Sequence, residues 1–249
     1  RSRGLGDVYK RQRHSLDELK GKTDVQFRIA YGSDGTPFET NGVAFDNFWI
    51  HERNKIVMVE HFTNASDAAS KSADSTLDAF VNRNSLDIVD IQYHTSFPGV
   101  DPFNEQNKVD PGTRVLYYQL SSVPVTILNG GTNNDYIFDY DNVLLDLLLI
   151  KNQSLLDPDF SITLQTSMVN NTLSVDAELR PLREVRDQQV TFHLAIVERI
   201  ISGVTGANGD TLFESVLKTI LSSTSYTNDW DPAVDVKTIN KTWNLKNTY

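Results

Sequence analysis

Short apolar runs and helically spaced stretches alternate between residues 55 and 155, and few folds accept the order in which they come. Ile56-Val57-Met58-Val59 reads as a buried strand. From Ala69, apolar residues recur at Ala73, Leu77, Phe80 and Val81, the spacing of one helix face. Ile88-Val89-Asp90-Ile91 is a second strand, and Pro111 suits the first turn of a helix carrying Val115, Leu116 and Tyr118. Val125-Thr126-Ile127-Leu128 is a third strand. Asn129-Gly130-Gly131 then supplies hairpin turn chemistry before Tyr136-Ile137-Phe138, and Asp141 can cap a last helix through Ile150. The predicted order is β-α-β-α-β-β-α, an α/β domain over residues 55–155.

The flanks have a different period. Val25 to Tyr31 alternates as a half-buried strand, Gly32 to Pro37 is turn chemistry, and Gly42 to Ile50 reads as a second strand. Two strands do not make a stable domain, so residues 13–54 are expected to be the closing strands of an upstream β-sandwich, jelly-roll or MAM-like. After the α/β region, Ser161–Thr166 and Leu173–Leu179 alternate around an Asn170-Asn171 turn, and Val190–Val197 alternates again. Residues 156–249 therefore predict an antiparallel, immunoglobulin-like β-sandwich. Thr211–Leu221 fits a helix and a pair of short strands equally well. Asp7-Val8-Tyr9-Lys10-Arg11-Gln12 looks like an in-frame sequencing adapter, which marks residues 1–12 as an expected artefact. The chain begins without Met and stops after a strand-like run, as an internal piece of a longer protein would.

Composition removes several function classes. There is no cysteine, which excludes disulfides, thiolate catalysis and cysteine-bound zinc or iron–sulfur sites. A formal net charge of −10 repels phosphate backbones, so nucleic acid is an unsuitable partner. No apolar run reaches the roughly 18 residues of a membrane-spanning helix.

Two loops make the α/β order specific. Glu60-His61-Phe62-Thr63-Asn64-Ala65-Ser66-Asp67-Ala68-Ala69-Ser70 follows a strand and opens a helix, and Ser122-Val123-Pro124-Val125 starts the third strand. With Tyr93-His94-Thr95-Ser96-Phe97-Pro98-Gly99-Val100-Asp101-Pro102-Phe103 and Arg114-Val115-Leu116-Tyr117-Tyr118, these stretches resemble a thioredoxin-like family of secreted and outer-membrane-associated Bacteroidota proteins. In that family a phrase like Glu-His-Phe-Thr-Asn precedes the redox cysteine pair, and a β-sandwich often follows. The resemblance implies that Asp67 and Ser70 stand at the cysteine positions and Pro124 at the cis-proline position. It implies that His61 stands near the place of the buried proton-relaying acid. Neither a carboxylate nor a hydroxyl forms a mixed disulfide, so the implied member is redox-inactive.

Other chemistry has weak support in the residues. Ser70 with His61 or His94 and Asp67 could be read as a hydrolase triad. Asp67 and Ser70, however, lie one helix turn apart, where a carboxylate caps free N–H groups. His94 near Asp101 could ligate a metal, but a loop-bound structural histidine accounts for it. Asp135, Asp139 and Asp141 offer oxygen ligands for calcium without EF-hand spacing, and they fit turn and cap positions. Tyr117, Tyr118 and Trp230 could stack on sugars, although aromatic residues at such spacing are ordinarily core. No cofactor and no metal is expected.

The sequence thus points to a non-catalytic module of a secreted or cell-surface bacterial protein, with a structural or interaction role toward an unidentified protein or glycan. The family's longer members often end in a type IX secretion sorting domain. A second reading is an adhesin that binds peptide or glycan in the degenerate groove beside Pro124. The third is the Ser70 hydrolase.

Overall fold

The structure, a computed structural model, describes residues 13–30, 48–50, 52–227 and 229–245. It is a mixed α/β protein with two β-sheets and few helices. Contacts divide it into two compact units, residues 1–53 and 54–249.

In the first unit, Asp17–Leu19 forms a 3-10 turn and Arg53 pairs with Asp17 at 3.0 Å. Phe27 and Phe48 are in ring contact. Val25–Ala30, expected as a strand, pairs with no strand among the described residues. Most of the second expected strand, like residues 1–12, lies outside the described residues.

The second unit opens with strand β1 (Val57–Thr63), helix α1 (Ala68–Arg83), β2 (Ile88–His94), α2 (Val109–Tyr118), β3 (Val125–Leu128), β4 (Ile137–Phe138) and α3 (Leu147–Gln153). This is the order expected for residues 55–155. Two local boundaries differ. The β3–β4 connection is not a tight hairpin: it runs through two 3-10 turns, with Asn129, Gly130 and Gly131 all at positive φ. Asp141 caps nothing, because Asp139 ties the 139–143 turn through the Asn142 and Val143 N–H groups and Tyr140 takes a left-handed φ of 62°. The last helix starts later, where Asp146 accepts from Leu149 N–H.

Five strands follow: β5 (Phe160–Val169), β6 (Thr172–Pro181), β7 (Val190–Ser202), β8 (Leu212–Tyr226) and β9 (Lys237–Asn244). The ambiguous 211–221 stretch is a single strand, because β8 pairs along the whole of β7 across two register shifts. One sheet has the order β4-β3-β1-β2-β8-β7 and the other β5-β6-β9. A clean separation at residue 156 therefore does not hold. β8 adds in parallel to β2 through Gln92 opposite Val216, so the hairpin β7–β8 extends the sheet built by residues 57–138.

Side-chain alternation along β1 sets up two faces. Val57 and Val59 face α1 and α3, packing with Leu77, Ile88, Leu128, Phe138 and Ile150. Phe62 faces α2, packing with Tyr93, Val125, Ile127 and Leu217. Full burial of each such side chain stabilises by about 1.5–3 kcal/mol. A separate core joins Val175, Ala177 and Leu179 of β6 to Phe192 and Leu194 of β7, with Val185 and Trp230.

Candidate functional site

The residues implied as degenerate redox positions sit at the N-terminus of α1. Asp67 is its N-cap, accepting from Ser70 N–H at 2.6 Å. Ser70 is fully buried, and its Oγ accepts from Asn64 N–H at 3.3 Å. Asn64 in turn donates to the carbonyls of Thr95 and Gly99. The buried Asp101 carboxylate closes the junction, accepting from Ala65 N–H at 2.6 Å, His94 Nδ1 at 2.8 Å and the N–H groups of Phe103 and Asn104. Burial alone would raise its pKa. The hydrogen bond and charge of His94, with the backbone donors, outweigh burial and hold the carboxyl below its usual range.

The chain also covers this junction itself. The turn between β7 and β8 lies across it: Asn208 N–H donates to Ala65 O at 3.0 Å, and Asn208 Nδ2 to Asp67 O at 3.1 Å. Lys71 on α1 reaches Asp210 at 3.5 Å. A Cβ on Gly206 would meet Ala65 O at 2.7 Å, so the turn approaches as closely as glycine permits. An extended peptide at this helix end would have to displace residues 206–210.

Beneath α1 lies a buried polar layer. His61 Nε2 is 2.7 Å from Asp74 Oδ1, and Nδ1 is 2.7 Å from Thr126 Oγ1. Thr63 donates to both Asp74 oxygens at 2.8 Å, and Thr126 shares a 2.8 Å bond with Tyr140. Burial pushes the Tyr140 hydroxyl up to about 12. Further along, Gln92 donates to Asp78 at 2.6 Å, Ser215 to Asp90 at 2.7 Å and Asn82 to Glu214 at 2.9 Å. On the opposite face, Arg114 holds Glu60 through Nε and Nη2, and Tyr118 donates to the same carboxylate.

Ser70 does not join His61 or His94 and Asp67 in a triad. Both His61 nitrogens are taken by Asp74 and Thr126, and no hydrogen bond joins Ser70 to His94. The histidine–carboxylate pairs that do form, His61–Asp74 and His94–Asp101, were not paired in this way by sequence reasoning, apart from the proximity of His94 to Asp101. His94 Nε2 is buried without a partner, against Phe103 and Phe213.

The remaining candidates are dispersed. Pro124 is buried beside β1, one residue before Val125 opposite Phe62, and the Val123–Pro124 peptide is cis. Among the described residues no three His, Asp or Glu side chains are grouped to hold a metal ion. Asp135 lies within the 3-10 turn Asn134–Tyr136, and Asp139 serves its own turn, whose hydrogen bonds hold its carboxyl down at about 2. Trp230 is buried against Phe160 and Tyr226, Tyr118 is tied to Glu60, and Tyr117 alone of the three proposed sugar-stacking residues is largely exposed. Sequence reasoning missed Asp74, Asp78 and Asp90. A signal existed: Asp74 and Asp78 lie beside Ala73 and Leu77 on the apolar stripe of α1, where carboxylates are out of place.

No family model and no curated protein matches the sequence. Among solved structures, HBP35 of Porphyromonas gingivalis superposes with a TM-score of 0.58 at 12% identity, over 78% of this chain and 65% of that one. The chain thus spans less than two thirds of that protein, with which it shares a fold. A protein of Agrobacterium tumefaciens aligns at 15% identity over 76% of this chain and 79% of its own, with a TM-score of 0.39. Among the described residues, no helix is long and apolar enough to cross a membrane.

Proposed function

We propose that the chain is a redox-inactive, thioredoxin-like module with a fused immunoglobulin-like sandwich, serving a structural or interaction role in an exported bacterial surface protein. The observation that carries this reading is the state of the α1 N-terminus. Asp67 is consumed as a cap, Ser70 is fully buried, and the β7–β8 turn is bonded to the carbonyls of Ala65 and Asp67. The element order β-α-β-α-β-β-α, with β1 between parallel β2 and antiparallel β3, supports the thioredoxin-like part. The fold shared with a protein from the Bacteroidota supports the family to which the residues point, and surface location follows from that resemblance.

The test is reduction of insulin disulfides by the purified chain in dithiothreitol, beside a hydrolase panel using ester and peptide substrates. The expected rates equal the buffer blank. Turnover abolished by Ser70→Ala would establish the hydrolase instead, and turnover in the insulin assay would end the redox-inactive reading.

A further inference from the structure

The two sheets have four edges, formed by β4 and β7 in one and by β5 and β9 in the other. An edge strand exposes unpaired N–H and C=O groups, and short length, charge or irregular pairing ordinarily keeps other chains away from it. β4 has only two residues. β7 carries Glu198 and Arg199, and two register shifts interrupt its ladder with β8. β9 carries Lys237 and Lys241. β5 has none of these devices. Its ten residues include no charge, no proline and no glycine, and all ten pair with β6 without a shift. Among the described residues no strand pairs with its other side. β5 is also the uncovered flank of the second core. Ile162, Leu164 and Met168 lie opposite Leu179, Ala177 and Leu173 of β6, on the face that packs against β7. Leu179 and Ala177 are buried, whereas Ile162 and Leu164 are each 56% exposed and Met168 is 53% exposed. The apolar face therefore continues past its cover and ends in an unguarded edge.

We propose that β5 pairs with β5 of a second copy of this chain, antiparallel about a two-fold axis at Gln165. Charge selects this occupant. With a net charge of −10, two copies repel one another over most of their surfaces, but β5 brings no charged side chain to the pair. A two-fold axis normal to the sheet keeps every residue on its own face and makes the contact self-complementary. Ile162 then meets the partner's Met168, Leu164 meets the partner's Thr166, and on the outer face Thr163 meets the partner's Ser167. At the strand ends Asp159 falls opposite the neutral Asn171 of the partner subunit, so no carboxylates are brought together. Ten paired residues supply about ten backbone hydrogen bonds, as many as a typical specific interface carries. The product is one continuous sheet of six strands, with the three of each copy joined at β5. This association is independent of the chemistry at the α1 N-terminus.

The experiment is sedimentation velocity of the full chain at concentrations from about 1 to 100 μM. A monomer–dimer equilibrium of the 28.0 kDa chain is expected. Leu164→Lys should weaken it at least tenfold, because it sets two like charges on diagonal positions beside the axis. Thr238→Lys, the same charge change on the opposite edge of that sheet, should leave it unaltered. A chain that stays monomeric throughout overturns the inference and leaves β5 to a strand of a different protein. A dimer that Leu164→Lys does not weaken also overturns it, because the interface then lies elsewhere. Should Leu164→Lys fail to fold by circular dichroism, Gln165→Cys decides. Directly opposed residues of an antiparallel pair have Cα atoms about 4.5–5.5 Å apart, within disulfide reach, and the chain has no cysteine of its own to compete. Mild oxidation should link Gln165→Cys into a covalent dimer and leave Thr238→Cys unlinked. No covalent dimer in Gln165→Cys, or equal linking of both variants, refutes the pairing.

Discussion

His61, fully buried, and Asp74, nearly so, hold each other at 2.7 Å. His61→Ala leaves Asp74 with Thr63 as its remaining hydrogen-bond partner, so the cost is that of a buried charge losing its partner, about 3–5 kcal/mol. Urea denaturation monitored by circular dichroism measures it, and a cost below about 1 kcal/mol would show that water reaches the layer. Asp78 works in the opposite sense. Its folded pKa is raised, to about 8, so the folded state keeps a proton that the unfolded chain loses near pH 4. Its contribution to stability is therefore undiminished below about pH 4 and falls as pH rises toward 8. Asp78→Asn is expected to be more stable than the unaltered chain at pH 8, on the order of 3 kcal/mol, and equal to it at pH 4. Denaturation at the two pH values checks the sign. Asp101, with its pKa lowered, adds stability above about pH 4 that is lost as its carboxylate protonates in acid.

At the scale of elements, α1 depends on its cap and on the turn laid over it. Asp67→Ala removes the acceptor for Ser70 N–H and should cost about 1 kcal/mol, while Asp67→Asn or Asp67→Ser should recover most of that. Gly206→Ala puts a methyl group 2.7 Å from the Ala65 carbonyl, where the opposing atom is backbone and cannot swing aside. A loss of about 1–3 kcal/mol is expected, with faster amide exchange at Asn208. These two elements also separate what could be read from residues and what could not. The α1 start, its apolar stripe and the capping role of Asp67 are local properties, encoded within one helix turn of each other. The covering turn comes from about 140 residues further along the chain, and nothing in Gly203–Asp210 names its partner. The same holds for His94 and Asp101, close in sequence and paired, against His61 and Asp74, which meet because a strand and the following helix pack face to face.

For the molecule as a whole, the shared sheet is the decisive feature. Because β8 pairs with β2 on one side and β7 on the other, while β7 also contributes Phe192 and Leu194 to the second core, residues 54–249 should unfold together. Tryptophan fluorescence of Trp49→Phe, which leaves Trp230 in the second core and Trp243 on β9 as reporters, and far-ultraviolet circular dichroism are expected to give coincident denaturation curves. Two separated transitions would mean that the hairpin joins two independent domains. A charge at Val216, the β8 residue opposite Gln92, tests the same point: Val216→Asp should destabilise both cores, by about 3 kcal/mol or more.

What the sequence determined by itself was local in origin: the order of elements from β1 to α3, the strands β5 to β7, the capped start of α1 and the absence of any thiol. Period, turn chemistry and residue type act over a few neighbours, and they need no tertiary information. The tertiary structure decided how strands far apart in the chain share hydrogen bonds. It made one strand of the ambiguous 211–221 stretch, joined it to β2, laid the 206–210 turn across Ala65 and Asp67, and brought Ser215 of β8 to Asp90 of β2. Backbone N–H and C=O groups pair with whichever strand edge packing brings alongside, so this sheet and the polar layer beneath α1 exist only once the chain has closed on itself.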